Sequence, residues 1–192
     1  MTDSTSNFGA FKRWLSNYLA VTATTFTAGI APTSAPSGVG NWQPIAATSG
    51  TDTTPANGTQ WVTSIYVPVN MTITNVTYLI GSVGGTDKVY AVLYDSSGAV
   101  LGNSSLSGGG ATVGTAANTQ TLALTSTVAV VGPRSFFVGI SINGTTARLR
   151  TVPAFCSGGI SANSVAQTHG TVAAITAPST FTADKAPIVF LS

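Results

Sequence analysis

The stretch KVYAVLYDSSGAVLG, residues 88–102, constrains the fold more than any other part of the chain. Lys88 is followed by Val89, Tyr90, Ala91, Val92, Leu93 and Tyr94, a run whose residue types and length fit a β-strand. Asp95-Ser96-Ser97-Gly98 then supplies turn chemistry leading into a second strand. A strand in a half-wetted antiparallel sheet alternates apolar and polar residues. This one is apolar on both faces, so two layers of protein must cover it. Val89, Ala91 and Leu93 are assigned to a core. Tyr90, Val92 and Tyr94 are expected to meet either an extended arm of the chain or an adjacent copy.

Similar signals recur at short intervals. TQWVTSIYVPV ends near Pro68, and MTITNVTYLI follows with its apolar phase switching at Thr74 and Asn75, which predicts a β-bulge. After the Gly-rich SGGGATVG come NTQTLALTSTVAVV and, past Gly132-Pro133, RSFFVGISIN. In the latter, Phe136, Val138, Ile140 and Ile142 form one face and Phe137, Gly139 and Ser141 the other. Asn143-Gly144 is a strong hairpin signal into TTARLRTV. A loop from Pro153 to Thr182 precedes a last strand, APIVFL. Strands about ten residues apart without intervening helices predict an all-β fold, an antiparallel jelly-roll-like β-sandwich, over residues 58–192.

Residues 1–57 read differently. Phe8, Phe11, Trp14, Leu15, Tyr18 and Leu19 recur at spacings of three and four, the pattern of an amphipathic helix with an aromatic face. Such a helix either closes one end of the β domain or docks in a groove on a partner. From Thr22 to Gly58 the chain is rich in Thr, Ala, Gly, Ser and Pro, with Pro32, Pro36, Pro44 and Pro55 opposing long regular elements. The expectation is an extended anchoring arm that could span up to ~120 Å.

Charged residues make up only 6% of the 192, with no glutamate, and the net charge is +2. That balance gives no electrostatic footprint for nucleic acid, and no apolar run is long enough for a membrane span. A polar surface built from Thr, Ser, Asn and Gly suits a chain packed in an assembly, because free proteins generally rely on charge to stay apart. Chemistry has few candidates. Cys156 is the sole cysteine and His169 the sole histidine, and nothing around Cys156 would lower its pKa. The aspartates are scattered without a close pair. No catalytic residue, cofactor or metal site is expected. Arg148 and Arg150, two apart, share a strand face and could meet carboxylates of a partner, with Arg134 nearby.

The order VPVNMTITNVTYLIGSVGGTDKVYAVLYDSSGAVLGNSSL, then TSTVAVVGPRSFFVGISINGTTARLRTV, then APSTFTADKAPIVFL, over residues 59–192, resembles β-sandwich structural proteins of tailed-bacteriophage virions. The resemblance implies a virion location and a non-enzymatic role as a head-decoration (cement) protein. Its partners would be the major capsid protein or other virion proteins, and further copies of itself in a homotrimer. The other role it implies is a tail-fibre or baseplate module recognising carbohydrate on the host surface. Phe8, Phe11, Trp14, Leu15, Tyr18, Tyr90, Tyr94, Arg148 and Arg150 are the candidate partner-binding residues.

Overall fold

The computed structural model describes residues 39–41 and 50–192, and these are almost entirely β-structure joined by turns. The strands are β1 (Val39–Gly40), β2 (Thr51–Thr53), β3 (Thr59–Val67), β4 (Met71–Leu79), β5 (Lys88–Tyr94) and β6 (Val100–Asn103). They continue as β7 (Ala111–Thr112), β8 (Thr119–Val130), β9 (Arg134–Ile142), β10 (Leu149–Thr151), β11 (Ala162–Ala166) and β12 (Val189–Leu191). One sheet has the order β1-β12-β4-β8, a larger one runs β11-β3-β9-β5-β6 with β7 also pairing β5, and β2 and β10 form a small two-stranded sheet. All the ladders between strands are antiparallel.

The two sheets face each other across one core. Ile73, Val76 and Tyr78 of β4, Leu122, Val128 and Val130 of β8, and Val189 and Leu191 of β12 come from one sheet. Trp61, Ile65 and Val67 of β3, Val89, Ala91 and Leu93 of β5, and the even-numbered face of β9 come from the other. The period-two alternation read from the sequence sets these faces. The expected bulge is present, as the β4–β8 register shifts between Ile73 and Asn75. Its freed amides are satisfied, since the Thr74 and Asn75 N–H groups both donate to the Ser192 carbonyl.

The outer face of the larger sheet is closed by the chain itself. Val62, Tyr90, Val92, Tyr94 and Phe137 form a second cluster, against which Leu106, Val165, Val172, Ile175 and Ala177 pack. Neither an arm from residues 1–57 nor a second copy is needed to cover Tyr90, Val92 and Tyr94. Residues 165–177, inside the segment expected to be loop, lie over them, and that segment also contributes edge strand β11, paired to β3. This strap has turn chemistry and little periodicity in its sequence, which is why it reads as plain loop.

Two further expectations change. Asn143-Gly144 does not lead into a hairpin. Strand β9 is flanked by β3 and β5, so neither edge is open, and β10 instead pairs β2, with Arg150 opposite Asp52. Asp87 directs this exit, its carboxylate accepting from the Thr146 and Ala147 amides at 3.0 and 2.8 Å. The division at residue 57 also moves, because β1 pairs β12 and β2 pairs β10. Parts of the arm region therefore belong to the folded unit. The N-terminal helix expected from Phe8 to Leu19 lies outside the described residues.

Gly139 sits where no side chain fits. A Cβ there would overlap the carboxamide of Gln60, which is fully buried. Gly139→Ala is expected to cost ~1–3 kcal/mol, the usual range for overpacking. Urea denaturation would measure it, and a Gln60→Ser background should remove most of the penalty, as coupled neighbours do.

Candidate interaction surface

Tyr90 and Tyr94 have no solvent exposure. Under the strap the Tyr90 hydroxyl donates to the Thr171 carbonyl at 2.8 Å, and the Tyr94 hydroxyl donates to Gln60 Oε1 at 2.6 Å. Burial raises both phenols above the ordinary tyrosine value, Tyr94 to about 12, although hydrogen bonds partly oppose it. Both therefore remain protonated donors at neutral pH. They are internal struts, and the reading that they contact a partner is corrected by this burial.

His169 belongs to the same cluster. Its Nε2 lies 2.7 Å from the Gly109 carbonyl, which can only accept, so Nε2 carries the proton. Nδ1 shares a hydrogen bond with the Ser141 hydroxyl at 3.1 Å, and the ring tilts 56° against Tyr90 at 4.9 Å. This serine–histidine contact is sealed from solvent at Ser141. What the geometry supplies is a clamp from the strap onto β9.

The arginine pair meets a carboxylate, but one of its own chain. Arg148 Nη1 lies 3.0 Å from Asp52 Oδ2 and Arg150 Nε 3.8 Å from Asp52 Oδ1. Ser82 completes the cluster, with its N–H donating to Oδ1 at 2.8 Å and its hydroxyl donating to Oδ2. Burial alone would raise the Asp52 pKa, yet the Ser82 hydroxyl and amide with the two guanidinium groups hold it below the ordinary 3.8. Within the chain the two arginines thus form a lock that fastens β2 onto β10. Arg150 is largely buried in this lock, while Arg148 keeps 43% of its side chain exposed. Arg134 is not part of the lock. It opens β9 at the end away from Ile142, roughly 26 Å along the strand at ~3.3 Å per residue.

The surface itself carries apolar side chains that sequence periodicity did not single out. Phe155 is 89% exposed, Val131 71% and Tyr66 57%, with Val69, Val100 and Leu101 also out in solvent. Val69 and Val131 share one end of the sandwich, where turns 68–70 and 131–133 cross between sheets. Gly132 backs onto the Val69 backbone there and donates its N–H to Asn70 Oδ1 at 3.0 Å. Tyr66 sits beside them, paired with Ser135 near the end of β3. The signal available in the sequence was apolar residues placed in turns, such as Val131 before Gly132-Pro133. Val39 pairs with Leu191, and Ser192 bonds Asn75. The candidate residues Phe8, Phe11, Trp14, Leu15 and Tyr18 lie outside the described residues.

Among the described residues no group of three or more His, Cys, Asp or Glu is placed to hold a metal ion. No described helix is long and apolar enough to cross a membrane. No protein family matches the chain, and no curated protein matches it.

The Asp52 lock has a pH signature. A carboxylate with a folded pKa below its unfolded value adds stability above the unfolded pKa, and that stability is lost as pH falls through the folded pKa. The melting temperature should therefore drop below about pH 4, over a window shared with Asp95, whose pKa the Ser97 hydroxyl and loop amides also lower. Asp52→Asn should flatten part of that drop. Asp52→Ala at pH 7 should cost ~1–3 kcal/mol, because it leaves Arg150 short of its counter-charge. Thermal melts from pH 2 to 7 on the three proteins would measure both effects.

Proposed function

We propose that this protein is a non-enzymatic structural component of a virion, a jelly-roll-type sandwich of the head-decoration kind. It binds the shell and neighbouring copies through its N-terminal region, read from the sequence as residues 1–57. The observation that carries this reading is the surface: large apolar side chains stand exposed on a chain with 6% charged residues. Contiguous exposed apolar area marks surfaces that are covered in the working state, and sparse charge offers little protection against association. The aromatic spacing from Phe8 to Tyr18 then supplies apolar groups for a shell groove. Self-association follows cyclic symmetry, with a trimer as the expected form.

Quantitative mass spectrometry of purified particles tests this. Copies comparable in number with the major shell protein are expected. A few copies per particle would instead favour a tail-fibre or baseplate module that recognises carbohydrate, and absence from particles would overturn the virion reading. Deleting residues 1–38 is expected to abolish incorporation while leaving the melting transition of the sandwich in place.

A further inference from the structure

The chain contains two Asn-Gly pairs, Asn57-Gly58 and Asn143-Gly144. A glycine after asparagine leaves the following backbone amide unshielded and conformationally free, so its nitrogen can reach the asparagine Cγ. The structure places the two pairs in opposite circumstances. Asn57 and Gly58 are the exposed central residues of a turn closed by Thr59 N–H, which donates to the Ala56 carbonyl at 3.3 Å. Gly58 has φ +76, with open space where a side chain would stand. Among the described residues neither the Asn57 carboxamide nor the Gly58 N–H has a hydrogen-bond partner. Asn143 is tied down. Its Oδ1 accepts from Lys88 N–H at 2.7 Å, and its own N–H donates to the Lys88 carbonyl at 3.0 Å. The Asp87 carboxylate lies against Gly144, where its charge opposes loss of the Gly144 amide proton.

We propose that Asn57 is a self-modifying site whose conversion to isoaspartate releases the strap, while Asn143 is spared. The Gly58 nitrogen gives up its proton to solvent base and attacks Asn57 Cγ. A C–N bond forms, the bond from Cγ to the side-chain nitrogen breaks, and ammonia leaves. Water then adds to one carbonyl of the resulting succinimide and cleaves that C–N bond, giving aspartate or isoaspartate without any redox change. In isoaspartate the main chain runs through Cβ and Cγ, so one extra carbon separates Asn57 Cα from Gly58. That matters because the Gly58 carbonyl accepts from Gln167 N–H at 3.0 Å, at the start of the strap, and Thr59 pairs with Ala166 just before it. Lengthening the turn displaces this carbonyl and withdraws the pin. A segment with few ladder bonds then opens at a still lower free energy, uncovering Tyr90 and Tyr94.

Peptide mapping by mass spectrometry, on the full chain aged in warm, mildly alkaline buffer, tests it. In the folded protein Asn57 is expected to convert at least ~10-fold faster than Asn143, whose carboxamide is held away from the attacking nitrogen. In urea, where that restraint is gone, the two sites should convert at comparable rates. Hydrogen exchange then reads the strap. Once Asn57 has converted, amides from Gln167 to Ala177 should exchange roughly 10-fold faster than in fresh protein. Asn57→Gln, whose extra methylene makes ring closure slow, should keep slow strap exchange after the same treatment. Equal conversion of Asn57 and Asn143 in the folded chain, or strap exchange unchanged after Asn57 has converted, overturns the proposal. Both measurements use the isolated chain, so they stand apart from the virion reading, which particle composition decides.

Discussion

The structure depends on one constraint: the central strands of the larger sheet are buried on both faces. Val89, Ala91 and Leu93 enter the inter-sheet core, and Tyr90, Val92 and Tyr94 enter a second layer on the other side. Fully burying one such side chain is worth ~1.5–3 kcal/mol. The outer cluster is therefore too large to leave in water, and the chain must fold a piece of itself over it. Residues 165–177 do this without forming a regular ladder over the cluster. The strap instead uses polar pins: Gln167 N–H to the Gly58 carbonyl, His169 to the Gly109 carbonyl, the Thr171 carbonyl from Tyr90, and Ile175 N–H to the Gly98 carbonyl. Gly98 has φ +91 and a Cβ there would strike the Ile175 carbonyl, so the hairpin turn is shaped to admit the strap.

A second set of polar contacts fixes the other end of the chain's path. The Asp87 carboxylate steers the segment after β9 out of its sheet, and Asp52 then receives both arginines that follow. Five aspartates serve the whole chain, and two of them are spent on routing it. A surface with so few charges leaves neutral hydrogen bonding and apolar contact as its main means of recognition.

The strands were largely legible in the sequence, because a period of two is a strong signal wherever one face is buried. The bulge at Asn75 could be read from a phase switch, and the two-sided burial of residues 89–94 from an unbroken apolar run. Partnerships across long separations were not legible. Nothing local to Arg148 and Arg150 points to Asp52, and nothing in Asn143-Gly144 reveals that both edges of β9 are already taken. The strap was missed because its apolar anchors, Val172, Ile175 and Ala177, are too sparse to show a period. Of the candidate residues, Tyr90, Tyr94, Arg148 and Arg150 find partners within the chain. Sequence alone gave no means of telling that those partners were internal.

A cover pinned by a handful of hydrogen bonds has its own thermodynamics. Segments with few ladder bonds open at a lower free energy than the sheet they protect. Lifting the strap would bare Val62, Tyr90, Val92, Tyr94 and Phe137 together while the ladders beneath them stayed intact. The species so formed would be a folded sheet with one apolar face in water, the kind of patch that promotes association. Exposure of that inner face is thus governed by how tightly a thirteen-residue segment, 165–177, is held, and can occur without global unfolding.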